Sequence, residues 1–167
     1  MAQDLNTVPN GSDVFIDANV FIYGLTAQSA QCKTFLERCS REEVTGITLF
    51  ECANDATHQF MKAEAVEKGH CAGQAMKYLS QHPEIVRQLT DYWANTQRLL
   101  ALNVLFVPIE LKIVAAAQPE RVSAGLLTND SIIIAAMRDF GVLSIATNDR
   151  QFDAVAGITV FSPTDIP

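Results

Sequence analysis

The chain has 167 residues, 49% of them hydrophobic, and a formal net charge of −7. This length suits one domain with a substantial core, the composition is not that of a disordered chain, and the acidity disfavours a broad nucleic-acid-binding face. A small acidic pocket, neutralised by metal and flanked by a few cations, remains compatible with holding a single phosphate.

Residues 1–12 read as a flexible N-terminal tail, polar and without the apolar stretch of a signal peptide. Val14, Phe15 and Ile16 form a short apolar run, a buried strand over 13–17, with a short helix at 18–25 after it. Cys32, Phe35, Leu36 and Cys39 recur at i, i+3, i+4 and i+7, the stripe of an amphipathic helix. A strand near 44–47 leads into a long helix over about 48–68, with Leu49, Ala53, Ala56 and Phe60 as its apolar face and Gly69 as its stop. An extra helical block follows at about 70–102, with Pro83 opening its later helix. Val104, Leu105, Phe106 and Val107 read as a strand, and 109–117 as a helix broken near Pro119. Residues 132–137 are apolar almost all round, the pattern of a central buried helix, and Gly141 ends it. Strands at 143–146 and 158–161, with a short helix between them, complete the chain.

Strands alternating with helices predict an α/β fold around a mainly parallel sheet, in a single domain over 13–167. No apolar run approaches the ~20 residues of a membrane span. Cys32, Cys39, Cys52 and Cys71 lack the paired spacing of a zinc site. The expectation is a cytoplasmic protein with reduced thiols.

Four acids from distant parts of the chain open helices: Asp17, Glu51, Asp130 and Asp149. Asp17 and Asp149 follow apolar runs that read as strands, and open parallel sheets bind ligands beyond the carboxyl ends of their strands. Such acids can share one pocket. Two like charges about 5 Å apart repel by roughly 3 kcal/mol at an effective dielectric of about 20. A hard divalent cation, Mg²⁺ or Mn²⁺, removes that cost. Each acid also has an ordinary explanation. Thr48-Leu49-Phe50-Glu51 has the form of a capping box. Asp130 suits the first turn of a helix, and Asp17 and Asp149 suit N-caps. The two readings are compatible, because a helix N-terminus favours the ionised carboxylate that metal binding requires.

The residues around these acids carry a family resemblance. Asp17-Ala18-Asn19-Val20-Phe21-Ile22-Tyr23, Thr48-Leu49-Phe50-Glu51, Asn129-Asp130-Ser131-Ile132-Ile133-Ile134-Ala135-Ala136 and Ala146-Thr147-Asn148-Asp149-Arg150-Gln151-Phe152 resemble the four motifs of PIN-domain ribonucleases, in particular the VapC-type toxins of toxin–antitoxin pairs. The motifs stand in the family's order and approximate spacing. The resemblance implies a PIN-like three-layer α/β/α fold and a metal-dependent endoribonuclease using Mg²⁺, with Mn²⁺ as substitute. It implies Asp17, Glu51, Asp130 and Asp149 as catalytic and metal-binding residues, direct ligation falling first to Asp17 and Asp130. Asn19 and Thr147 resemble polar supports of the site. Arg150 suits a phosphate contact or a solvated charge, and Asp153 suits a support of the site or the surface. The implied partners are RNA, a second copy of the chain and a small antitoxin.

Other chemistries fare worse. His58, His70 and His82 have no metal spacing, no G-x-S-x-G elbow surrounds a serine, and neither a P-loop nor G-x-G-x-x-G is present. Phosphotransfer through an aspartyl-phosphate on Asp17 generally wants an acid two positions on, where Asn19 stands. An RNA-processing nuclease without an antitoxin and a non-catalytic PIN-like binding module are the alternatives. In the extra block Tyr78, Leu79, Ile85, Val86, Leu89, Tyr92 and Trp93 exceed what one core readily buries, which predicts a helical dimer face.

Overall fold

The computed structural model describes residues 1–72 and 74–166, and among these six strands form one sheet. They are β1 (Gln3–Asp4), β2 (Asp13–Ile16), β3 (Thr45–Leu49), β4 (Val104–Val107), β5 (Ser144–Ala146) and β6 (Thr159–Ser162). All neighbours pair in parallel, in the order β1-β6-β5-β2-β3-β4. The chain runs outward from β2 through β3 to β4, then crosses to β5 on the other side of β2 and outward again to β6. The strand order therefore reverses between β2 and β5, and a crevice at such a reversal is where open α/β sheets bind ligands.

Eight helices flank the sheet among the described residues: α1 (Ala18–Leu25), α2 (Ala30–Ser40), α3 (Phe50–Glu67), α4 (Ala75–Gln81), α5 (Pro83–Val86), α6 (Asp91–Leu100), α7 (Leu111–Ala124) and α8 (Thr128–Phe140). Alternation along each strand divides them into two layers. Val14 and Ile16 pack with Phe21 of α1, Phe35 of α2 and Phe60 of α3, whereas Phe15 and Ile145 pack with Ile113 of α7 and Ile134 of α8. This is the expected three-layer α/β/α arrangement. Close approach is built in at Gly46, where a Cβ would lie 2.8 Å from Ile16 Cδ1 and 3.1 Å from Val104 Cγ2. Gly141 ends α8 with φ 70°, a left-handed backbone that suits glycine.

Several expectations need correction. Residues 1–12 are not a loose tail: β1 pairs with β6, and Leu5 and Val8 are buried in the core. Two well-placed apolar side chains suffice to anchor a polar segment, and composition alone does not show that. Thr48 does not cap α3, whose N-cap is Leu49, without a side-chain bond. Thr48 is buried on β3 and its hydroxyl donates to the Ile16 carbonyl (2.7 Å). Pro119 does not break α7, which continues to Ala124. Pro119 faces solvent while Ile113 and Ala117 are buried, so packing overrides the lost backbone bond. The turn after Asp149 is 3₁₀ rather than α-helical.

The apolar residues of the 70–102 block also behave differently from expectation. Leu79 and Leu89 bury themselves with Ala65 of α3, and Tyr78, Ile85, Val86 and Tyr92 pack around them. Only Trp93, 50% exposed, remains open to solvent among the seven.

Glu64 joins that block to α3. It is 3% exposed and accepts from the backbone N–H groups of Thr90 (2.7 Å) and Tyr92 (2.8 Å) and from Lys68 Nζ (2.5 Å). It thereby supplies the N-terminal cap that Thr90, the N-cap of α6, does not provide with its own side chain. Burial alone would raise the pKa of Glu64; the bonds from Lys68 and the α6 backbone outweigh it and hold the carboxyl down at about 2. Its contribution to stability is fully present above the ordinary value of 4.5 and is lost as pH falls toward 2. Glu64→Ala should cost about 2–4 kcal/mol in urea unfolding at neutral pH, because it leaves buried donors unpaired. A variant of wild-type stability would show that this junction does not hold α6.

Candidate active site

Asp17 stands at the carboxyl end of β2, beside the reversal, as the N-cap of α1. Its backbone N–H donates to the Ala146 carbonyl of β5 (3.1 Å), which fixes the cap against the neighbouring strand. Three donors converge on its carboxylate: Ala18 N–H (2.6 Å), Asn19 Nδ2 (2.5 Å) and Thr147 Oγ1 (2.7 Å). Thr147, fully buried, also accepts from Asp149 N–H (3.0 Å), and Asn19 Oδ1 accepts from Asn148 N–H (3.1 Å). The turn after β5 is thus tied to the turn after β2 through Asn19 and Thr147.

This carboxylate is nevertheless poorly solvated. Burial pushes its pKa up to about 6; the bonds from Thr147 and Ala18 oppose the rise, and the charges of Asp130 and Asp149 add to it. Asp130, in the first turn of α8, is raised as well, by burial and then by the charge of Asp149. Asp149 caps the 3₁₀ turn by accepting from Gln151 N–H (2.8 Å).

Asp17, Glu51 and Asp130 line one cleft together with Asp55 and Asn129, over apolar walls that include Leu49, Ile109 and Ile133. Asp149 is not among its lining residues, yet its charge raises both aspartates. Asp55 was absent from the sequence reading. It lies four residues after Glu51, so the helical period of α3 puts both on one face, and that spacing was the available signal. Cys52 also lines the cleft, its thiol pushed up to about 12 by burial and then by the Asp17 charge, so it is an inert packing residue. Arg150 and Asp153 line a separate crevice, with Asp153 4.0 Å from the N-terminal ammonium. No histidine is among the cleft-lining residues.

Carboxylate oxygens at this density suit a hard cation. Burial raises both Asp17 and Asp130, and the charges of Asp130 and Asp149 on Asp17 and of Asp149 on Asp130 add to it; a bound cation would relieve that cost. Among the described residues, no three His, Cys, Asp or Glu side chains are gathered tightly enough to hold an ion as they stand. The acids ring the cleft, and Asp17 directs its oxygens to its own donors.

Among known protein families, residues 14–158 match the PIN domain. The chain belongs to the PIN-domain family, a family of nucleases. No curated protein matches the sequence. Several solved structures share the fold, three of them as follows. VapBC2 of Rickettsia felis, bound to a DNA fragment from their promoter, is 11% identical over 90% of this chain and 98% of that one, with a TM-score of 0.56. A toxin–antitoxin complex from Klebsiella pneumoniae is 16% identical over 87% and 94%, TM-score 0.54. VapC20 of Mycobacterium tuberculosis, a sarcin–ricin loop cleaving toxin, is 14% identical over 87% and 96%, TM-score 0.57.

The elevated Asp17 has a consequence for stability. The folded protein binds a proton there more readily than the unfolded chain, so ionising Asp17 costs stability above pH 6 and the cost fades toward 3.8. The metal-free protein should gain roughly 1–2 kcal/mol from Asp17 between about pH 7.5 and about pH 5. Asp17→Asn should lack that part of the gain when the two are compared by chemical denaturation in EDTA. Parallel pH profiles would contradict the elevated carboxyl.

Proposed function

We propose that this protein is an endoribonuclease that hydrolyses RNA phosphodiester bonds with Mg²⁺, Mn²⁺ substituting, and that it acts as the toxin of a toxin–antitoxin pair. The observation that carries the reading is Asp17: a poorly solvated carboxylate held in place by Thr147 and Asn19, within the electrostatic reach of two further aspartates. Family membership supports the nuclease class. The toxin role draws on the likeness in fold to VapBC2 and VapC20.

When bound, a divalent cation would neutralise the carboxylates, activate a water for in-line attack and stabilise the leaving oxygen. Asp17 and Asp130 would hold it, with Glu51, Asp149 and the newly located Asp55 as further oxygen donors at the cleft. Thr147 and Asn19 keep the Asp17 carboxylate in one orientation, so little rearrangement of that side chain is needed when the charge is neutralised. Glu51 and Asp130 each lie in the first turn of a long helix, where the backbone dipole favours their ionised forms. The apolar walls limit water in the cleft, which strengthens every interaction with the phosphate.

A cytoplasmic location suits this role, and no helix among the described residues is long and apolar enough to cross a membrane. A homodimer is part of the proposal. Its support is the row of exposed apolar side chains Leu111, Val114 and Val122 along α7, with Leu105 on the edge strand β4. A small antitoxin would act by presenting a cation, Arg, to the acids in competition with the metal.

Purified protein should cleave single-stranded or looped RNA in Mg²⁺ and stop on addition of EDTA. Asp17→Ala and Asp130→Ala should each lower the cleavage rate at least about a hundredfold while retaining the native circular dichroism spectrum. Wild-type rates in both variants would assign the cleavage to other residues or to a contaminant.

A further inference from the structure

A second crevice, separate from the acidic cleft, is joined to it through hydrogen bonds. Asn148, Arg150, Ser162 and Thr164 are among its lining residues. Two of them bond directly to the residues that hold Asp17: Asn148 N–H donates to Asn19 Oδ1 (3.1 Å), and Ser162 Oγ donates to the Thr147 carbonyl (2.6 Å). The crevice therefore begins one residue away from the Asp17 carboxylate, on the β6 side of the strand reversal.

Its charge differs from that of the cleft. Arg150 is the only Lys or Arg lining either crevice among the described residues. Its side chain is exposed and makes no ion pair or hydrogen bond among those residues, whereas Arg138 is held by Glu120 and Lys112 by Asp139. Two acids also line the crevice, Asp4, which accepts from Asn6 N–H (2.8 Å), and Asp153, 4.0 Å from the N-terminal ammonium, so the crevice's formal charges balance whereas the cleft carries acids alone. A polyanion approaching a chain of net charge −7 is repelled overall, and an uncommitted guanidinium next to Asp149 in the chain offers it a local attraction. Guanidinium geometry matches the two oxygens of a phosphate, and Asn148, Ser162 and Thr164 offer polar groups to a strand backbone.

We infer that this crevice is a subsite for the RNA backbone, in which Arg150 holds a phosphate flanking the one that is cut. The inference rests on the nuclease reading above. A contact of this kind positions the strand and carries no base preference. It sets the register of the scissile bond and acts on KM, leaving the chemical step to the acids.

The test uses single-stranded RNA oligonucleotides in which one linkage at a time is an uncharged methylphosphonate. For the wild type, neutralising one particular linkage beside the cut should raise KM several-fold with kcat unchanged. Arg150→Gln should show the raised KM on unmodified RNA and no further response at that linkage, and Arg150→Lys should recover part of the difference. The logarithmic salt dependence of RNA affinity should become shallower by about 0.7 in Arg150→Gln, the share of one phosphate on a single strand. Because Arg150 is exposed, the variant should melt as the wild type does. A wild type that cuts RNA but ignores every flanking linkage, or an Arg150→Gln with unchanged KM and salt slope, overturns the subsite and leaves the nuclease reading intact. A wild type that neither binds nor cuts RNA overturns both.

Discussion

The arrangement at the strand reversal depends on one constraint: Asp17 is a carboxylate placed where it is costly to ionise. Burial and the charges of Asp130 and Asp149 raise its pKa, and the bonds from Thr147 and Ala18 only partly restore it. Those bonds need the turns after β2 and β5 to sit side by side, which the pairing of Phe15 with Ile145 and Ile16 with Ala146 secures. Thr147 is held in turn by β6, donating its N–H to the Phe161 carbonyl (2.9 Å) and receiving Ser162 Oγ. The register of three central strands is therefore what positions one side chain. Such a site loses free energy in the empty protein and recovers it when a cation arrives, the usual relation between stored electrostatic cost and function.

The two faces of the sheet divide the remaining work. The α7–α8 layer buries Ser131 to Met137 of α8 without a break, which fixes Asp130 just before that stretch. The α1–α2–α3 layer anchors the start of α3, with Ala53 and Ala56 in its core, and so the backbone from which Glu51 and Asp55 reach the cleft. The block between α3 and β4 is peripheral to this. Its outer part carries a small core of its own, and the block is fastened through Glu64, far along α3 from the acids, and through Leu99 of α6 in the main core.

Much of this was legible in the amino-acid order. The short apolar run Val14–Ile16 before Asp17 and the mostly apolar 143–146 before Asp149 mark strands, a 3.6-residue stripe marks α2, and the four motifs mark the family. What escaped depends on partners far away in the chain. Leu5 and Val8 look like tail residues until β6 is there to receive β1. Thr48 fits a capping box locally, yet its hydroxyl is claimed by Ile16 thirty-two residues earlier. Glu64 reads as a surface residue of a long helix, and only the return of the chain at Thr90 and Tyr92 makes it a buried cap. Asp55 stands one turn inside α3 rather than at its start and belongs to none of the four motifs, so only its spacing from Glu51 points to the cleft. The apolar residues of 70–102 look unpartnered in the sequence because their partners lie within the block and on α3: Leu79 and Leu89 are buried with Ala65, while Trp93 and Leu100 stay exposed.

The central claim is that the acids at the strand reversal form a site whose electrostatic cost a divalent cation relieves. Thermal unfolding with and without millimolar Mg²⁺ at neutral pH tests it most directly, since a ligand that binds only the folded state stabilises by about 2.7 kcal/mol at a hundredfold excess over its Kd. The account predicts a clear rise in Tm with Mg²⁺ or Mn²⁺ for the wild type and a much smaller one for Asp17→Asn and Asp130→Asn, both of which should melt at or above the wild type when no metal is present. A wild-type melting curve that does not move with either ion, or one that moves equally in all three proteins, would contradict it.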